Sequence, residues 1–513
     1  MPPSPGDLAD VPHEERDLAS FTGLYACRAL VYVPRDEDEV RRVLRWAHES
    51  MARVTFRAGG HSFDDQSLPQ DLLATARAHV GVDMSALASI DVDAPHRRVT
   101  VAPGATWGDI LAALQPHGLV PYVTVTTSHA TAGGTLSGDC LSRFSPAYGK
   151  EGHHVRSFTL CTPDGGRHVC TPPEQGQPPH SLEERLFCGV IGGLGYLGAV
   201  TSITYDLLHV GETGGRIGVE SFILKYDSFR ELATELLAMA LRTEKRGRHE
   251  RHPELPDSVW SALSDLGGPQ SLIVHSRFTS SPDRNRMPNH RPELALRVPV
   301  EWTLRSQRLL GLMWKVFFLL LRTGVRYVDD LEGFTFMMDG TVRAKHVAEG
   351  LGFSYRTIQQ TFIVPVSSEV HAEETADKRL ADFVDVCDRR FAEAGVKPTL
   401  MDVLYIPRDD LFLLSASRGM SGFAVSFAFE VNDRRLIERI EECFVDLTEA
   451  CFEAGGRVYL VKNVRARAAT LRTMFADALP AFLALKREVD PHGVLRNAFF
   501  ERHFGALVAG GAP

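Results

Sequence analysis

The hydrophobic pattern of this chain changes character about two-fifths of the way along. Early on, Val40, Val43, Leu44 and Ala47 recur on one helical face after Asp36, which is placed to cap a helix. Pro34 closes a strand predicted over 29–33. Residues 54–57 predict a short strand running into Gly59-Gly60. Residues 98–102 alternate with β-branched side chains, Pro103-Gly104 turns the chain, and 107–114 predicts a helix. Strands over 155–161 and 167–171 flank Pro163-Asp164-Gly165-Gly166, a strong hairpin signal. This part is therefore α+β, built from short strands and glycine-rich connections.

From about Gly211 long amphipathic helices such as 228–241 alternate with strands such as 357–364 and 422–431. The last long helix is the clearest. Leu436, Ile437, Ile440, Cys443, Phe444, Leu447 and Cys451 form one apolar stripe, closed by Gly455-Gly456. Loops rich in Pro, Arg and His, 246–256 and 280–292, read as surface connections. The greasiest run, 309–321, is too short to span a bilayer and carries Lys315 in its middle. It predicts a buried helix or a cavity wall. Arg305, Arg308, Arg322 and Arg326, with Trp302 and Trp314 close by, leave peripheral membrane contact through 302–326 as the alternative.

Composition narrows the class. A chain of 513 residues exceeds one ordinary core, so two or more domains are expected. A net charge of -9 gives no reason to propose a nucleic-acid partner. Eight cysteines lie scattered with no CxxC pair, which excludes a zinc ribbon and a disulfide scaffold. The N-terminal stretch has neither a basic start nor an apolar segment, so no signal peptide is expected; a cytoplasmic location with reduced thiols is. His153-His154 and His249-x-x-His252 are not expected to hold metal. Side chains of the first pair diverge, and the second pair lies in an Arg-rich loop.

The glycine clusters carry the chemistry. Gly193-x-Gly195-x-x-Gly198 matches a dinucleotide fingerprint, but a β-branched run over 199–207 follows it where a helix is required. A Rossmann domain is not expected on that ground, and these glycines read as positions where backbone approaches a ligand. A second cluster, Arg57-Ala58-Gly59-Gly60-His61-Ser62-Phe63 with Gln66 and Ser67, predicts a turn whose N–H groups could cradle phosphate oxygens. Thr131-Ala132-Gly133-Gly134 supplies a third such loop. Three donor-rich loops suit a large ligand with a pyrophosphate.

Together the GGHS turn, Val101-x-x-Gly-x-x-Trp-x-Asp109, the Thr131–Gly134 loop and the GGLG run before Ala199 resemble the vanillyl-alcohol oxidase family of FAD-linked, PCMH-type oxidases. The tail, Gly455 to Asn463 with Val489 to Leu495, and His154 to Ser157 are similar to the decaprenylphosphoryl-ribose oxidase branch. The resemblance implies a two-subdomain α+β FAD-binding domain over 20–207, an α+β substrate cap over 208–455, and a segment, 456–513, returning to the FAD domain. It implies that residues from Arg57 to Ser67 wrap the pyrophosphate. Thr131 to Gly134 and Gly138, Asp139, Cys140 and Leu141 would lie near the flavin, Val200 near the adenine, and Tyr459 beside the isoalloxazine.

Two departures from that branch matter. Leu141 stands where it has a histidine facing the flavin, which puts its substrate in doubt. His61 stands where sugar, lactone and alkaloid oxidases carry the histidine bonded to the flavin 8α-methyl, so covalent FAD through His61 is expected. A second, cysteinyl link is not, because Thr127 holds its position and Cys140 lies beyond the glycine pair. Oxidising a C–OH also needs a group that handles the hydroxyl proton. The resemblance places Lys462 in a strand against the flavin and Gln359 in the substrate cavity; Tyr405 is a further candidate. The expected function is an FAD-dependent oxidoreductase that takes hydride from a sugar, polyol, lactone or lipid-linked sugar and passes electrons to oxygen or another acceptor. A flavin-dependent C=C reductase and a catalytically silent FAD-fold binding protein are the alternatives.

Overall fold

Asp36 does cap the first helix, Glu37–Ser50: its carboxylate accepts from the Glu39 N–H at 2.8 Å. The buried face of that helix, Val40, Val43, Leu44 and Ala47, packs on Val54, Val80 and Val82 of a four-stranded sheet. In spatial order its strands are His13–Ala19, Ala26–Tyr32, His79–Asp83 and Arg53–Arg57. The first pair is antiparallel and the others are parallel. The computed structural model from which this is read describes residues 8–70, 77–211, 214–246, 259–266, 270–280, 285–287, 312, 316, 318–350, 356–366, 373–431 and 433–505.

A second, antiparallel sheet runs Ile90–Asp93, Arg98–Val101, Ala199–His209, Val155–Cys161, Arg167–Cys170, with Leu119–Pro121 beside Ala199–His209. The Pro163–Gly166 turn joins the last two in order, as its sequence predicts, and helix Trp107–Leu114 forms with Thr106 as its cap. Gly193, Gly195 and Gly198 lie between helix Leu182–Val190 and strand Ala199–His209, the reverse of a dinucleotide turn. Gly195 and Gly198 line the cavity described below, so the ligand-approach reading of these glycines needs correcting only for Gly193. A Cβ on Gly193 would stand 2.2 Å from the Gly189 carbonyl, and one on Gly198 would stand 2.7 Å from the Cys161 carbonyl. The chain's own backbone requires them.

The third sheet has eight antiparallel strands: Tyr327–Asp330, Gly218–Tyr226, Ser271–Thr279, Val259–Ser264, Leu400–Ile406, Gly422–Val431, Arg356–Pro365 and Arg457–Val458. Helices Phe229–Arg246, Glu373–Glu393 and Arg434–Glu453 pack over one face. The predicted stripe of the last of these is buried from Ile437 to Cys451. Pleating divides each strand between two faces. Ile358, Gln360 and Phe362 turn toward the helices, where Gln360 Nε2 donates to Thr448 Oγ1 at 2.8 Å. Residues 357, 359 and 361 turn to the other face.

The C-terminal segment divides as well. Arg457–Val458 extends the eight-stranded sheet, whereas the Val494 carbonyl accepts from Val54 N–H of the first sheet at 2.8 Å. The loops at 246–256 and 280–292, with His249 and His252, lie almost wholly outside the described residues, as do Trp302, Arg305, Arg308, Trp314 and Lys315. In the greasy run, Phe318 and Leu321 are buried with Val274 and Met287, while Leu312, Val316, Leu319 and Leu320 are exposed. Among the described residues no single helix is long and apolar enough to cross a membrane.

Candidate active site

The loop following strand Arg53–Arg57 opens onto a cavity of about 420 Å³ that extends to the face of the eight-stranded sheet turned from the helices. Arg57, Ala58, Gly59, Gly60, His61, Ser62, Phe63, Gln66 and Ser67 all line it, as do Thr131, Gly133, Gly134, Gly138, Cys140, Leu141, Val200 and Tyr459. Among the described residues, no backbone N–H from Gly59 to Phe63 finds an acceptor in the protein. Five consecutive N–H groups left without a protein acceptor at a cavity wall fit a phosphate-bearing ligand.

His61 stacks on Phe21 at 5.2 Å and on His129 at 6.4 Å between ring centroids. Its Nδ1 is buried without a hydrogen-bond partner. Burial pulls its pKa down to about 4, so the imidazole is neutral at pH 7. A neutral ring with an unshared nitrogen is the form able to bond a cofactor carbon.

Two residues expected near the cofactor turn away from the cavity. Ala132 is buried in the core at the start of helix Ala132–Gly138. The Asp139 carboxylate accepts from the Gly152 N–H at 3.0 Å and pairs with the buried Lys150 ammonium. Lys150 also reaches Asp409 at 2.7 Å and Ser415 at 2.6 Å, so a buried cation ties this loop to the chain beyond strand Leu400–Ile406. Only the backbone of Asp139 serves the site. The Tyr459 hydroxyl donates toward the Gly138 carbonyl at 3.1 Å and that of Asp139 at 3.3 Å.

Lys462 lines the cavity but does not lie in a strand. The ladder beside strand Arg356–Pro365 gives way after Val458 to separate main-chain bonds, from Tyr459 N–H to the Thr361 carbonyl at 3.0 Å and from Asn463 N–H to the Gln359 carbonyl at 2.8 Å. Asn463 Oδ1 accepts from Gln359 N–H at 2.9 Å, and Gln66 Nε2 donates to the Leu460 and Lys462 carbonyls at 3.1 and 3.2 Å. The Lys462 ammonium sits 4.0 Å above the Phe63 ring centroid. Burial lowers its pKa, while the nearby Cys140 and Asp402 act the other way.

Gln359 also lines the cavity, its Nε2 donating to Ser426 Oγ at 2.7 Å. Tyr405 does not. It lies on the opposite face of its strand, packed against Trp260 and Phe423, because an odd offset of three positions from the inward-facing Asp402 turns it outward. Asp402 and Arg143 are charged cavity residues that the sequence did not disclose. Burial pushes the Asp402 carboxyl up to about 7, against the pull of Lys462 and Arg143. The available signal was a single acid within the apolar strand Leu400–Ile406. His153 stacks on Phe412 and His154 on Tyr122, so the adjacent histidines serve different partners.

Residues 28–171 match the FAD binding domain family. With the donor-rich loops around the cavity, this defines the class: the chain is an FAD-linked oxidoreductase, a flavoprotein enzyme whose cofactor is FAD. Decaprenylphosphoryl-beta-D-ribose oxidase of Mycolicibacterium smegmatis is 23% identical over 487 residues, covering 90% of this chain and 92% of that protein. Cytokinin dehydrogenase 4 of Arabidopsis thaliana is 28% identical over 197 residues, 35% of each chain. Cytokinin dehydrogenase 4 of Oryza sativa is 31% identical over 169 residues, 32% of this chain and 29% of that one. The chain thus spans about a third of the length of these cytokinin dehydrogenases.

Proposed function

We propose that this enzyme, in the manner of the vanillyl-alcohol oxidase family, oxidises a hydroxyl-bearing carbon of a sugar, polyol, lactone or lipid-linked sugar. Residues 20–207 with 456–513 hold the cofactor, and 208–455 cap the substrate. Arg57 to Ser67 wrap the pyrophosphate, Val200 lies by the adenine, and Thr131, Gly133, Gly134, Gly138, Cys140 and Leu141 with Tyr459 flank the ring. His61 attaches the cofactor covalently. Bound FAD supplies the two-electron acceptor for the C–H bond that breaks.

The observation that carries this reading is Lys462. Its ammonium is held over Phe63 where the donor-rich loops meet the cavity face of the sheet. A fixed positive charge there favours negative charge on substrate oxygen and on the reduced ring more than it favours the ground state. Gln359, braced by Ser426, orients a substrate hydroxyl. Electrons then pass to oxygen or another acceptor. The exposed Leu312, Val316, Leu319 and Leu320 support peripheral membrane contact through 302–326, which co-sedimentation with anionic vesicles tests.

The deciding experiment is anaerobic bleaching of the yellow holoprotein by a panel of polyols, pentoses and sugar lactols. Acid precipitation of the same preparation should leave flavin in the pellet. Bleaching by a nicotinamide reductant alone, with reoxidation by an unsaturated compound, would replace the proposal with a C=C reductase.

A further inference from the structure

One cross-strand row decides which group can take a proton in this cavity. Leu263, Asp402, Ser426 and Thr361 stand opposite one another on four neighbouring strands, and all four side chains line the cavity. Ser426 Oγ is bonded to Gln359 at 2.7 Å and to Thr361 at 2.8 Å. Among the described residues the Asp402 carboxyl accepts only from its own backbone N–H and bonds no other side chain. It is a carboxyl with open acceptor positions beside two groups able to hold a hydroxyl.

The other titratable groups at the cavity are unsuited. The Lys462 nitrogen is turned onto the Phe63 ring, and in its ammonium form, which the nearby Asp402 favours against burial, it has no lone pair to offer. Arg143, also above an aromatic ring, 4.2 Å from the Phe334 centroid, stays protonated. Tyr459 is fixed by its hydroxyl to the Gly138 and Asp139 carbonyls, and burial raises its pKa. The Cys140 thiol is likewise pushed up by burial. Glu430, farther along strand Gly422–Val431, accepts from Thr357 at 2.7 Å. His61 lies in the glycine loop, away from the sheet row.

We propose that Asp402 is the catalytic residue that accepts the substrate's hydroxyl proton, with Ser426 and Gln359 orienting that hydroxyl. The inference rests on the hydroxyl-oxidation reading. In the step, the O–H bond breaks and its proton goes to an Asp402 carboxylate oxygen. The C–H bond breaks, its hydrogen and electron pair pass to bound FAD as oxidant, and the carbon–oxygen double bond forms. Lys462 makes the step workable at neutral pH, since its charge keeps the buried carboxyl partly ionised.

Two measurements on FAD-loaded protein test this. Infrared difference titration should show a protonated carboxyl that ionises near pH 7 and is missing in Asp402→Asn. Anaerobic single-turnover reduction by xylitol and by methyl β-D-ribofuranoside should rise with pH through the same midpoint. Asp402→Asn, with FAD content unchanged, should lose that rise and slow by roughly a hundred- to ten-thousand-fold. Lys462→Met should keep the rise but move it to higher pH, because Lys462 draws the carboxyl's pKa down. Reduction that keeps its rise in Asp402→Asn, or a carboxyl that ionises well below pH 6, removes Asp402 alone. If no hydroxyl-bearing probe reduces the wild type, the substrate reading fails and this role with it.

Discussion

The glycine loop after Arg57 faces the cavity with five unpaired backbone N–H groups, whereas the eight-stranded sheet faces it with side chains alone, Gln359, Thr361, Asp402 and Ser426. The first surface depends on conformation, and almost any residue change that keeps the turn keeps its donors. The second depends on which residues a pleat turns inward, so one substitution rewrites its chemistry. A fold built this way can hold its cofactor constant while its substrate changes.

Three substitutions sharpen that contrast, beginning with the largest expected effect. Lys150 links the two regions: it is buried and bonded to Asp139 behind the cofactor loop and to Asp409 beyond the sheet. Lys150→Met leaves two buried carboxylates without their cation, and denaturant unfolding should show a loss of about 3–5 kcal/mol. Unchanged stability would mean that the two regions hold together without it. His61→Ala should release FAD to the supernatant on acid precipitation while leaving the fold's unfolding midpoint nearly unaltered. Tyr405→Phe, on the helix-facing side of its strand, should leave the single-turnover rate unchanged; a large drop would show that the pleat assignment is wrong.

The same contrast explains what the sequence disclosed. Turns and loops are local, so the Asp36 cap, the Pro163–Gly166 hairpin, helix Trp107–Leu114 and the glycine loop at Gly59 could all be read residue by residue. The negative reading of Gly193-x-Gly195-x-x-Gly198 was equally local, because the strand after it was visible. Parity on strand Leu400–Ile406 was not. Helices cover one face and the cavity the other, so both faces carry apolar residues, and nothing along the strand marks Tyr405 as outward and Asp402 as inward. Lys462 was placed in a strand because the turn over 460–462, between the main-chain bonds of Tyr459 and Asn463 to strand Arg356–Pro365, depends on a distant segment of chain. The turning of Asp139 toward Lys150 depends on a cation that also pairs with Asp409, 259 positions beyond Lys150, and no local pattern announces it.

The central claim is that a preorganised ammonium at Lys462 assists transfer of electrons from a hydroxyl-bearing carbon to FAD. Its most direct test is the anaerobic single-turnover rate of flavin bleaching in Lys462→Met against wild type, with FAD content matched. Single turnover isolates this step from reoxidation. A fixed electrostatic group of this kind contributes about 2–4 kcal/mol, so the variant should bleach roughly a hundred- to a thousand-fold more slowly. Lys462→Arg should recover little of that loss, since a planar guanidinium cannot take a compact ammonium's place above Phe63. Bleaching of Lys462→Met at the wild-type rate would contradict the account.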